Sequence, residues 1–145
     1  VIPDSAAELD AYNELYCYAL AHEDPAFIRQ LVVDAWMAQN ANEQTKPIGL
    51  TFALVGLYLH VERGFSGLQV HQAHRTMSRV KSTWPPFPLP KDRGSITASS
   101  VMAAPPGPER DEAIDAWCQS VWAAFRESRE VVAGLVAKHG ITGPT

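Results

Sequence analysis

The chain predicts an all-α fold, a single-domain bundle of five or six helices over residues 1–145, with a proline-rich loop at 84–94. Three observations predict it. Apolar residues recur at helical spacing in one segment after another, and no stretch alternates apolar and polar residues as a half-buried strand would. Residues 47–63 are apolar on every side, as the central member of a bundle must be.

The elements follow in order. "SAAE" at 5–8 is a capping box, with Ser5 and Glu8 three residues apart, so a helix is expected to start there. Leu9, Tyr12, Tyr16, Ala19 and Leu20 form its apolar stripe. "EDPAF" restarts the chain with Asp24 as N-cap and Pro25 in the first turn. Ile28, Leu31, Val32 and Ala35 give the second stripe, which runs out near Gln39. After the polar "NANEQTKP", Pro47 opens the central helix and Gly64 ends it. Gly49 and Gly56 each cost roughly 1 kcal/mol of helix propensity against alanine, which points to close approach of a neighbouring helix. Ser66 caps the fourth helix, whose core stripe is Val70, Ala73, Met77 and Val80, with Trp84 beyond. "WPPFPLPKDRG" has four prolines in eleven residues and can be neither helix nor central strand. A short helical turn near "TASSVMAA" ends at "PPGP". Pro108 then begins the last long helix, with Ile114, Trp117, Val121, Ala124 and Phe125 on one face. A final segment runs from Ser128 to Lys138, with Gly140 as its stop.

Composition narrows the function classes. A hydrophobic fraction of 46% and a charged fraction of 19% are those of an ordinary globular domain. Cys17 and Cys118 form no CxxC or CxxH pair, which excludes a disulfide framework and a zinc ribbon. Both are expected as buried free thiols in a reducing cytoplasm. "VIPDSAAELD" is acidic and lacks an apolar run, so no signal peptide is expected there. "IGLTFALVGLYLHV", at fourteen residues, is too short to span a bilayer. The net charge of −4 is unevenly spread: residues 1–45 carry eight acids against Arg29, whereas residues 63–93 carry six cations against Asp92. The acidic segment can neutralise the basic one within the fold or across a dimer, so nucleic acid is not expected as a partner. No nucleophile motif and no glycine-rich nucleotide loop occurs.

The polar residues on apolar faces are the candidate site. In "VHQAH", His71 and His74 are spaced i, i+3, which lets two imidazoles share one metal on a bundle helix. His74 falls at the margin of the apolar stripe and His71 nearer solvent. Further ligands for a divalent metal such as zinc would be Asp111 and Asp115, four apart on the last long helix, and His60. The competing reading makes one a hydrogen-bonded core histidine and the other a surface residue. Asp34 interrupts "LVVDAWM", and Gln39 returns to the same apolar face. A buried carboxylate is costly unless partnered, so Asp34 should cap a backbone, pair with an arginine or anchor a ligand. Tyr58, Tyr12, Tyr16 and Trp36 are aromatic candidates for a pocket wall.

"YNELYCYALAHEDPAFIRQLVVDAWMAQN", "KPIGLTFALVGLYLHVERGFSG", "TWPPFPLPKDRGSITASSVMAAP" and "AIDAWCQSVWAAF" together resemble bacterial proteins classed as domain of unknown function 5946. The resemblance covers nearly the whole chain. It implies a bacterial cytoplasmic protein and carries no activity. Relatives have a CPGCG-like opening and a histidine where this chain has Asn40; neither is present here, which leaves a metal to the histidines of the fourth helix. The expected function is a small-molecule- or metal-binding helical bundle, extending to a metal-dependent enzyme. The alternative is a non-enzymatic interaction module that forms a homodimer.

Overall fold

The computed structural model describes residues 6–21 and 28–143 and is all-α, with no strand among them. Its helices are α1 (Ala6–Ala21), α2 (Ile28–Gln39), α3 (Pro47–Arg63), α4 (Gly67–Ser78), α5 (Ala98–Ala103), α6 (Pro108–Ala124) and α7 (Arg129–Lys138). That is seven rather than five or six. Pro105 and Pro106 separate α5 from α6, and a 3-10 turn at Arg126–Ser128 separates α6 from α7. No described helix is long and apolar enough to cross a membrane.

Local chemistry sets the boundaries. Pro47 occupies the first turn of α3, and Gly64 ends that helix at φ 73°, a left-handed conformation that suits glycine. Ser66 and Gln69 form a reciprocal capping box on α4, and Thr97 and Ser100 form another on α5. The expected caps at Ser5, Asp24 and Pro25 lie outside the described residues.

Packing makes α2 and α3 a central pair. Helix α3 lies against α2, α4, α6 and α7, while α2 also touches α1, α4 and α6. The stripe Ile28, Leu31, Val32 and Ala35 is buried as expected, as are Ile114, Trp117, Val121 and Phe125. Helix α1 differs. Its buried residues are Leu15 and Ala19, whereas Leu9 and Leu20 are about half exposed. Cys17 is exposed too, so only Cys118 of the two free thiols is buried. Val80 falls beyond the end of α4 and is 54% exposed, so it is no part of that helix's core stripe.

Candidate functional site

The α2–α4 seam holds the one buried carboxyl among the described residues. Asp34 is buried, and its Oδ1 accepts a hydrogen bond from Gln30 Nε2 at 3.0 Å. Its Oδ2 has no hydrogen-bond partner. Neither of the expected partners, a backbone cap or an arginine, is found among the described residues; a neutral amide one turn away takes their place. Burial pushes the Asp34 carboxyl well above the ordinary carboxylate range, with the Gln30 bond opposing in part. The bare oxygen lies against Gly56 of α3: a Cβ built there would come within 1.9 Å of Oδ2 and 3.1 Å of Val70 Cγ1. Gly56 is therefore the space that the carboxyl occupies, which accounts for a helix-weakening residue at the centre of α3.

From Asp34 the polar chain runs outwards. Gln30 gives its amide hydrogen to Asp34, so its Oε1 is turned to His71 Nδ1 at 3.3 Å. An amide oxygen only accepts, so Nδ1 carries the hydrogen. Burial raises the Tyr12 phenol pKa, with smaller contributions from Tyr16 and then Asp34. The Tyr12 ring stacks on Trp36 with centroids 4.5 Å apart.

His74, one turn from His71, faces a different neighbour. Its Nε2 donates to the Phe52 carbonyl of α3 at 2.7 Å, and its ring tilts against the Phe52 ring. Burial lowers its pKa from 6.5 to about 4, against the opposing pull of the Phe52 carbonyl and with a small contribution from His71. His74 is therefore neutral at pH 7. Thus "VHQAH" sends one imidazole to α2 and the other to α3.

The remaining metal candidates are placed elsewhere. His60 of α3 and Asp115 of α6 do meet, Nε2 to Oδ1 at 2.6 Å, while His60 Nδ1 bonds the Phe65 carbonyl at 2.7 Å. Asp115 Oδ2 accepts from Gln119. Both nitrogens and both oxygens are thus engaged, and the Nε2–Oδ1 contact ties α3 to α6. Asp111 accepts from the Tyr18 hydroxyl at 3.0 Å, near the start of α6. Of the five residues His60, His71, His74, Asp111 and Asp115, His60 and Asp115 pair with each other, while His71, His74 and Asp111 each bond a different neighbour. Among the described residues no group of three or more His, Cys, Asp or Glu is arranged to hold a metal ion.

Gln39 and Tyr58 are also spoken for. Gln39 Nε2 donates to the Arg93 and Ile96 carbonyls, and Oε1 accepts from Trp117 Nε1 at 2.9 Å. Arg93, 2% exposed, returns the contact: Nη1 reaches the carbonyls of Ala38, Gln39 and Ala41 at 3.1, 3.2 and 3.1 Å. Its guanidinium also sits 5.4 Å from the Phe125 ring centroid. Tyr58 packs edge-on to Trp122, beneath the Arg129 guanidinium that pairs with Glu62. These contacts fasten helices and loops to one another.

Sequence reasoning missed three residues. Gln30 was accessible to it, because i, i+4 spacing places a glutamine beside Asp34. Arg93 and Arg110 were not. Arg110 donates to the Ala104 and Met102 carbonyls at the end of α5, as Arg93 does at the end of α2, and a carbonyl target leaves no mark in residue identity.

A model of a family of unknown function, DUF5946, matches residues 3–126. No curated protein and no solved structure matches the chain.

Proposed function

The chain belongs to that family of unknown function, and we propose that it is a small-molecule-binding helical protein whose ligand sits at the outer end of the α2–α4 seam. One observation carries this reading: a buried carboxyl with an unpartnered oxygen, whose single hydrogen bond aims Gln30 at the half-buried His71. Such a carboxyl lowers stability, and costly buried acids cluster at sites that use them. Because Oδ2 is wedged against Gly56, the ligand meets Gln30 and His71 rather than Asp34. Asp34 positions them, and the stacked Tyr12 and Trp36 rings offer an aromatic surface beside it. A metal-dependent form of this reading would need ligands that the described residues place elsewhere.

Native mass spectrometry of gently purified protein tests it. A co-purifying organic mass is expected, retained by the parent chain and released by His71→Ala and Gln30→Ala. A metal ion in its place would restore the metal reading. Retention of the mass by both variants would move the site elsewhere.

Exposed Leu9 and Leu20 on α1 favour the second reading, a non-enzymatic homodimer. Light scattering with Leu9→Glu and Leu20→Glu decides that question separately.

A further inference from the structure

A cleft lies where the start of α3 meets the chain leaving α4. It measures about 450 Å³ and is lined by Ile48, Gly49, Phe52, Val80, Lys81 and Trp84, with Ser78 and Ser82 at its rim. That volume lies within the range of roughly 300–1,000 Å³ typical of small-molecule pockets. None of its lining residues belongs to the α2–α4 seam.

Three features give this cleft a chemistry. Its walls are apolar and open: Ile48 is 45% exposed and Val80 54%, unusual for large aliphatic side chains that serve only the core. Its back wall is held before any ligand arrives. Trp84 stacks on His139 with centroids 5.4 Å apart and meets Phe52 edge-on, and the Phe52 carbonyl is bound by His74. A wall fixed in this way has little conformational entropy left to lose on binding. The charge on the rim has one sign. Lys81 is exposed and makes no ion pair among the described residues, and no acidic residue lines the cleft. The segment that supplies this side, residues 63–93, carries six cations and the single acid Asp92.

We propose that this cleft binds an amphiphilic monocarboxylate, its aliphatic or aromatic body against Ile48, Phe52, Val80 and Trp84 and its carboxylate at Lys81. The apolar body is taken from water, and the headgroup stays at the rim, where the lysine need not be desolvated. The cationic rim selects an acid over an amine of the same body.

Decanoate is the probe. Titrated into the full chain below its micellar concentration, it should give a saturable change in tryptophan fluorescence and a matching calorimetric isotherm. Decyltrimethylammonium, with the same tail and the opposite charge, should bind at least about tenfold more weakly. Lys81→Glu should weaken decanoate by about tenfold or more and narrow the preference between the two headgroups. Val80→Glu should abolish saturable binding of both. Both positions are exposed, so the melting temperature should stay within the range of ordinary surface substitutions. Equal affinity for the two headgroups, a Lys81→Glu variant that binds decanoate normally, or no saturable binding would each overturn the assignment. So would a concentration-dependent dimer that Val80→Glu dissolves, since a second copy of the chain would then cover the cleft.

Discussion

Asp34 and Gln39 lie five residues apart on α2, both buried, and they could hardly be treated more differently by their surroundings. Gln39 uses both ends of its amide, on the Arg93 and Ile96 carbonyls and the Trp117 indole. Asp34 keeps one oxygen bare. A satisfied buried polar group fastens a fold; an unsatisfied one costs free energy comparable to a lost hydrogen bond. The contrast separates structural polarity, at Gln39 and Arg93, from polarity that needs another explanation, at Asp34.

The largest expected effect is at the satisfied end. Arg93→Ala strips the α2 terminus of its donor and opens a cavity beside Phe125, for a loss of roughly 3–5 kcal/mol in urea unfolding. A loss under about 1 kcal/mol would show that the Arg93 contacts are not a fastening. Next in size is Gly56→Ala, which should destabilise by roughly 1–3 kcal/mol although alanine is the better helix former, because the new methyl collides with Asp34 Oδ2. Combined with Asp34→Ala, most of that cost should vanish. Simple additivity in the double-mutant cycle would contradict the wedge.

Asp34→Asn bears on the other side of the comparison. No cation among the described residues is paired with Asp34, so the penalty for breaking a buried ion pair does not arise. Its folded pKa is raised, so above the unfolded value of about 3.9 the native state holds a proton that the unfolded chain has released. Stability therefore falls as pH rises from there to the folded pKa, by at most about 1.4 kcal/mol per pH unit, and is level beyond it. The asparagine variant should lack that slope and be at least as stable as the parent at pH 7. His74 acts with the opposite sign. Its folded pKa of about 4 lies below 6.5, so its contribution is present above 6.5 and lost as pH falls towards 4. Melting curves of Asp34→Asn and His74→Gln between pH 4 and 7 should separate the two slopes. The smallest effect is expected for His71→Ala, within about 0.5 kcal/mol, since its ring is only partly buried and bonded to an amide at 3.3 Å.

Much of this arrangement was legible in the residues. Pro47, Gly64, Ser66 and Pro108 act through backbone chemistry that needs no partner, and the helices they bound fall where the sequence places them. The burial of Asp34 and Gln39 followed from periodicity alone. Helix α1 was harder. Tyrosines and leucines surround it almost evenly, so periodicity could not tell that Leu15 faces inwards while Leu9 and Leu20 face out. The candidate site was half legible. One turn between His71 and His74 suggested a shared ligand, yet α2 and α3 meet α4 on different sides, and each imidazole found its own acceptor. Which helix lies against which is a property of the whole chain and has no local signature.

The reach of Arg93 into the end of α2 has a consequence for how this protein can vary. Surface loops ordinarily accept insertions and deletions, because only their ends are fixed. The segment 79–97 is also held within its length, at Arg93 and Gly94, where φ is 92° and any Cβ would meet Ser120 Oγ at 2.3 Å. A one-residue change before that point would shift the guanidinium out of register with Ala38, Gln39 and Ala41, and α2 would lose its terminus. The turn at 42–45, closed by its own Asn42 and Thr45, carries no such obligation. Of two connections that look equally dispensable, only the shorter is free to change its length.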